Sequence, residues 1–242
     1  MAKSLKILIV DTNREAASFG SKNLVHWAIK MSEPGSEVMV RRAPEQDLRL
    51  GLEPDAIVLS GSVTSCLEAT ESWIKPYDDF VTHHIKKGTP ILGVCYGHQA
   101  LARCIARMND QESTLRKAQD AELGWAAVQI TKKTRLLEGL EKSFITYESH
   151  YEEVAELPAG TFGFAQTDRC AIQGFEMIDR PIFGIQFHPE YSIEEAEASL
   201  SAKLKKGVRK DWILNQGKGS KLYDEKVGKV IFGNFFKLAT RD

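Results

Sequence analysis

Charge of one sign is missing from this sequence of 242 residues: 32 Lys and Arg face 33 Asp and Glu, a formal net charge of −1. Without a net field, a nucleic acid or an anionic membrane surface is not the expected partner, and a small molecule or another protein is. Long apolar runs are missing too. None approaches the ~18 to 20 residues that span a bilayer, and Met1-Ala-Lys-Ser-Leu-Lys-Ile-Leu-Ile-Val10 enters a strand-like run with no small-residue cleavage site, so it is not read as a signal peptide. Cysteine is scarce. The four present, Cys66, Cys95, Cys104 and Cys170, have no C-x-x-C spacing, which excludes the usual metal-cluster and disulfide-framework signatures and fits a reducing, cytoplasmic setting. No G-x-x-x-x-G-K-[ST] phosphate loop, dinucleotide fingerprint, internal repeat or low-complexity tract occurs, so neither a cofactor nor a metal is expected.

What is present is ordinary in amount and specific in pattern. Hydrophobic residues make up 43%, enough for one substantial core, and residues 1–242 are read as a single domain. Strand-like runs at 6–10, 37–43, 55–59 and 90–94 alternate with helical periodicity at 15–30 and 71–87 and again after residue 95. That alternation predicts an α/β fold with a doubly wound, mostly parallel sheet and helices on both faces. From there the pattern changes to short strands at 125–131, 144–149, 163–166, 171–178 and 182–187, predicting a small antiparallel region. Residues 192–206 read as a helix and 230–238 as an apolar one, while 207–228, with four glycines and many lysines, reads as loops or a lid.

The sharpest signal is Gly93-Val-Cys-Tyr-Gly97, at the end of an apolar strand. In a G-x-nucleophile-x-G elbow the strand turns sharply into a helix and the middle side chain projects above the sheet. The helix N-terminus beyond Cys95 favours a thiolate, so Cys95 is the candidate nucleophile rather than a packed core thiol. A thiol nucleophile needs a base, oriented by a third group. His98, His150 and His188 compete. His98 is turned away by the elbow geometry, whereas His188 ends a strand-like run in His188-Pro-Glu190. Pro189 favours an extended backbone at His188, and residues two apart on an extended segment share a face. Glu190 can then hold one ring nitrogen while the other faces the thiol. The oxyanion of thiolate attack calls for donors, for which the backbone of Tyr96 and of Gly61, in the turn after the third strand, are the candidates. His26, His83 and His84 lie on helical stretches and need no chemical role.

Together, Gly93-Val-Cys-Tyr-Gly-His-Gln99 and His188-Pro-Glu190 closely resemble the triad class of glutamine amidotransferases. Leu59-Ser-Gly-Ser62, Trp73-Ile-Lys-Pro76, Glu122-Leu-Gly-Trp125 and Ser149-His-Tyr-Glu-Glu-Val154 resemble the branch of the GMP synthase glutaminase domain, over roughly residues 5–195 plus the last helix. The resemblance implies hydrolysis of the glutamine side-chain amide, with Cys95 as nucleophile, His188 as acid/base and Glu190 as its orienting carboxylate. It further implies that Gln99, Ser149 and His150 contact the substrate, and that ammonia passes to a synthetase domain or subunit.

Three departures qualify it. The helix after the elbow lacks the usual closing glycine pair, having Ile105-Ala-Arg-Met108, and the following loop, 109–121, is expected to be reshaped. An insertion-like segment at about 201–229 has no clear family counterpart and is expected to cover the site or bind a partner. No synthetase signature is read within the 242 residues, so the ammonia acceptor is expected elsewhere. The leading reading is a stand-alone glutamine amidotransferase, a glutaminase with a glutamyl thioester intermediate; a γ-glutamyl peptide hydrolase uses the same chemistry on another leaving group, and a non-catalytic regulatory protein keeps the fold alone.

Overall fold

The computed structural model describes residues 3–14, 19–112 and 114–240. The first part alternates as expected: β1 (Lys6–Asp11), α1 (Phe19–Met31), β2 (Glu37–Arg42), β3 (Ala56–Leu59), α2 (Ile74–Lys87), β4 (Ile91–Val94) and α3 (Tyr96–Met108). The start of the first predicted helix, residues 15–18, lies outside the described residues. Then come β5 (Leu115–Ile130), β6 (Ser143–Val154), β7 (Thr161–Gln166), β8 (Gly174–Met177), β9 (Ile182–Ile185), α4 (Ile193–Lys205), β10 (Ile213–Leu214), α5 (Gly219–Leu222) and α6 (Glu225–Ala239).

All ten strands join one curled sheet in the order β10-β5-β7-β8-β9-β4-β3-β1-β2, with β6 paired to β5. The run β9-β4-β3-β1-β2 is parallel, and β5, β6, β7, β8 and β9 pair antiparallel. The parallel strands β1, β3, β4 and β9 are apolar on both faces because helices cover both. On one face α1 and α6 pack Leu24, Trp27, Ile231, Phe232 and Phe235 against Ile7, Ile9, Val58 and Phe183. Trp27 stacks on Phe232 with ring centres 5.4 Å apart. The opposite face carries α2 and α3, where Tyr77, Phe80, Val81, Leu101 and Ile105 meet Leu8, Val10, Ile57 and Ile91. Among the described residues no helix is long and apolar enough to cross a membrane.

The second half departs from expectation at its boundaries. Residues 109–121 are not all loop: β5 begins at Leu115, ten residues before its first predicted position, and a bulge between Lys117 and Glu122 shifts its register against β6. The charged stretch Leu115-Arg-Lys-Ala-Gln-Asp120 hides a strand because it is half-buried to exposed throughout and shows no apolar face. β6 continues through His150 to Val154. Nor is 207–228 a run of loops: β10 pairs with Leu123 and Gly124 of β5, and α6 starts at Glu225 behind an Asp224 cap whose side chain accepts from the Lys226 N–H. α4 starts where a capping box stops fraying, Ser192 accepting from the Glu195 N–H while Glu195 accepts from the Ser192 N–H.

Candidate active site

The parallel topology gathers the carboxyl ends of β1, β3, β4 and β9 at one edge, where open α/β sheets bind ligands. Cys95 stands between β4 and α3 with φ +52° and ψ −103°. Such a backbone is costly for a side chain with a Cβ, and the surroundings must impose it. They do so through two glycines. A Cβ on Gly93 would lie 2.5 Å from the Gly97 carbonyl oxygen, and one on Gly97 would lie 2.6 Å from the Leu59 carbonyl oxygen. Only glycine allows β4, α3 and β3 to approach this closely. The Cys95 N–H donates to Ile185 O at 2.8 Å and its own carbonyl accepts from Gln99 N–H at 3.0 Å, which locks the turn from both sides.

His188 follows β9. Its N–H donates to Tyr147 O at 2.8 Å in an isolated antiparallel bridge, tying it to β6. Its Nδ1 lies 2.7 Å from Glu190 Oε1. The Glu190 backbone carbonyl in turn accepts from Trp27 Nε1 at 3.3 Å. Cys95 and His188 are each only 6% exposed, so solvent screens them little. Burial disfavours the imidazolium, yet the Glu190 carboxylate and the hydrogen-bonded Cys95 outweigh it and hold the His188 pKa well above its ordinary value. The arrangement favours a protonated imidazole beside the thiol.

Gly61 flanks both groups: a Cβ there would lie 3.0 Å from His188 Cε1 and 3.4 Å from Cys95 Cβ. The preceding carbonyl, Ser60 O, accepts from Gly97 N–H at 3.2 Å and from Thr12 Oγ1 at 3.2 Å. Because the peptide is planar and trans, those bonds fix the direction of the Gly61 N–H. Neither that N–H nor the Tyr96 N–H, at the first turn of α3, donates to an acceptor among the described residues. Two free donors flank the nucleophile.

The remaining expected residues divide. Gln99 donates from Nε2 to Glu152 O at 2.7 Å and to Gln186 Oε1 at 3.0 Å, leaving its carbonyl oxygen with no donor among the described residues. Ser149 lies beside the thiol, its carbonyl 3.9 Å from Cys95 Sγ. The His150 ring, next along β6, lies against Glu122, with Nε2 3.1 Å from Oε2. His98 packs against Phe175 with ring centres 4.9 Å apart, and burial pushes its pKa down to about 3, so it is a neutral core residue.

Glu122, His150 and Cys170 bring three possible ligand atoms within 4.8 Å of one another. Their chemistry is that of a hydrogen-bonded network. Glu122 Oε2 already accepts from His150 Nε2, Thr167 Oγ1 and Gln173 Nε2, and burial pushes the Cys170 thiol far above its ordinary pKa. Two groups escape a reading of the sequence. Glu148 is completely buried beside the site. Lys203 of α4 turns inward, donating to Ser199 Oγ at 3.1 Å; burial lowers its pKa, while the nearby Cys95 charge opposes that shift. Strand alternation in residues 145–150 could have flagged the first; the second has no local signal.

Comparison with known proteins bears on the same residues. Residues 19–206 match the family described as "Glutamine amidotransferase class-I". The sequence is 29% identical over 163 residues to a glutamine-hydrolyzing GMP synthase subunit of Pyrococcus abyssi, covering 66% of this chain and 78% of that one. It is also 29% identical over 203 residues to the subunit of the same name from Methanosarcina barkeri, covering 82% and 94%. The fold is similar to that of a glutamine amidotransferase from Thermotoga maritima, with a TM-score of 0.77 over 99% of this chain and 100% of that one at 18% identity. The elbow and the His-Pro-Glu segment thus both fall inside the matched region, and the chain belongs to the class-I glutamine amidotransferase family.

Proposed function

We propose that this protein hydrolyses the side-chain amide of glutamine through Cys95, His188 and Glu190 and releases ammonia to a synthetase subunit. The observation that carries the reading is the buried Cys95–His188–Glu190 chain on a strained elbow. Cys95 Sγ attacks the amide carbon, and the oxyanion receives the free N–H groups of Gly61 and Tyr96. His188 gives its proton to the departing nitrogen, leaving ammonia and a glutamyl thioester. Water then attacks the thioester, its proton returns through His188, and glutamate leaves with the thiol restored. Glutamine and water become glutamate and ammonia.

Gln99, through its unsatisfied carbonyl oxygen, and Ser149 are the groups we assign to the substrate's polar end. Both archaeal relatives carry the name of a GMP synthase subunit, which supports a separate synthetase as the ammonia acceptor. The test is glutamate release from glutamine and from γ-glutamyl dipeptides, with Cys95→Ala as control. Activity on glutamine that vanishes in the variant is the expected result. A strong preference for the dipeptides makes the protein a γ-glutamyl peptide hydrolase, and no reaction of Cys95 with any glutamine-like electrophile makes it a non-catalytic binding protein.

A further inference from the structure

The Glu148 carboxyl stands out among the buried groups that the reaction does not use. Its side chain is 0% exposed, and neither oxygen has a hydrogen-bond partner among the described residues. An ionised carboxylate is not stable in such a place; it takes up a proton instead. The neighbouring Glu122 is the contrast, since three donors converge on its Oε2 from His150, Thr167 and Gln173 at 3.1, 3.0 and 2.7 Å. His150 Nε2 faces both carboxyls, 3.1 Å from Glu122 and 3.5 Å from Glu148. One N–H cannot satisfy two carboxylates, and its hydrogen bond goes to Glu122. Two acids in one enclosure with unequal donors separate into a charged one and a neutral one.

The groups around Glu148 point the same way. Glu122 faces it from β5, His150 from its own strand, Gln173 from the approach to β8, Cys95 from the elbow and His188 from beyond β9. Burial first, then the Glu122 charge, raise its pKa well above the ordinary carboxyl value; His188 opposes them, Cys95 adds a lesser push upward, and Gln173 opposes least.

Its place in the chain links it to the chemistry. The residue before it, Tyr147, accepts the His188 N–H, and the residue after it, Ser149, sets its carbonyl against Cys95 Sγ. We propose that the Glu148 carboxyl stays protonated in the resting enzyme, so that β6 packs beside Cys95 and His188 without placing a second negative charge next to the thiolate. This rests on the reading of Cys95 and His188 given above. Ionised, Glu148 would oppose the Cys95 thiolate and tighten the hold of His188 on the proton that the leaving group needs.

The test uses the full chain and needs no substrate. An infrared difference spectrum between wild type and Glu148→Gln at neutral pH is expected to contain a protonated-carboxyl C=O band that shifts in D2O and is missing from the variant. The pH profile of Cys95 alkylation is expected to overlay in the two proteins, because glutamine is a neutral isostere. A carboxylate band in place of the acid band, or an alkylation midpoint that falls by about one pH unit or more in Glu148→Gln, overturns the proposal. The infrared and alkylation readouts survive a protein that turns out not to hydrolyse glutamine, so failure of that reading and failure of this one remain distinct.

Discussion

Replacing Glu190 by Gln removes one charge while keeping the shape, and its effect on His188 can be worked from the geometry. In the native site Nδ1 and Glu190 Oε1 are 2.7 Å apart within a buried pair. A charge-assisted bond of this kind contributes about 1.5 to 3 kcal/mol, which corresponds to roughly 10- to 150-fold in rate if it is felt in the transition state. Tautomer control adds to this. A Gln that turns its NH2 to Nδ1 forces the ring proton onto Nε2, where it can no longer accept from the thiol, and a comparable change in a serine protease triad costs about 10⁴. The Glu190→Gln enzyme is therefore expected to lose about 10² to 10⁴ in kcat with KM less affected.

The linked pH effect has a definite sign. The folded His188 pKa lies well above the unfolded value near 6.5, so this group stabilises the fold fully below that value and the contribution fades as pH rises through the folded pKa. Without Glu190, burial dominates and the imidazolium is no longer held. Alkylation of Cys95 across pH is the assay, and the expected result is loss of the neutral-pH thiolate with reactivity appearing only in the alkaline range. An unchanged alkylation profile and a kcat within about threefold of wild type would refute the triad reasoning.

Three further outcomes follow from other contacts. Gly61→Ala puts a methyl 3.0 Å from His188 Cε1, and the few tenths of an ångström that the ring must yield are expected to lower kcat by about tenfold or more while the melting temperature changes little. Asp78→Ala strips the partner from Arg103, whose Nη2 and Nε lie 2.6 and 3.0 Å from its carboxylate; loss of roughly 3 to 5 kcal/mol in denaturant unfolding is expected, and less than about 1 kcal/mol would mean the pair is replaceable. Lys203→Met removes a partly buried positive charge that acts on Cys95, so the alkylation midpoint should move to higher pH, and a shift to lower pH would contradict that geometry.

How much of this is legible depends on distance along the chain. Gly93, Cys95 and Gly97 lie within five residues, and the elbow they form is set by local backbone crowding that glycine alone relieves, so the nucleophile can be read directly. His188 and Glu190 are readable for the same reason, their relation being fixed by strand alternation across one proline. The parallel half is equally clear, since β1, β3 and β4 are apolar on both faces. Where pairing partners decide, the sequence is silent. The strand starts at Leu115 because residues 115–117 pair with 152–154 across the ladder, Arg116 reaching Glu153, and its own residues carry no apolar face. Sequence resemblance groups His150 with Ser149 in one loop, and only the pairing of β6 with β5 shows that both lie on a strand. The terminal helix starts at Glu225, five residues early, because Asp224 caps it and its first turn is charged.

The two-residue strand β10 has a bearing on the order in which the protein assembles and opens. Its contacts to β5 are made across great separations: Asn215 Nδ2 donates to Trp125 O over 90 positions in sequence. Closing so long a loop for so few hydrogen bonds is entropically expensive, so this pairing should form after the sheet is in place. The same imbalance makes it the first to part under native conditions, and amide exchange at Ile213 and Leu214 should be fast while β4 and β9 remain protected until global unfolding. The polypeptide around residues 207–219 thus behaves as a late latch on an early-formed sheet, able to release without disturbing the elbow.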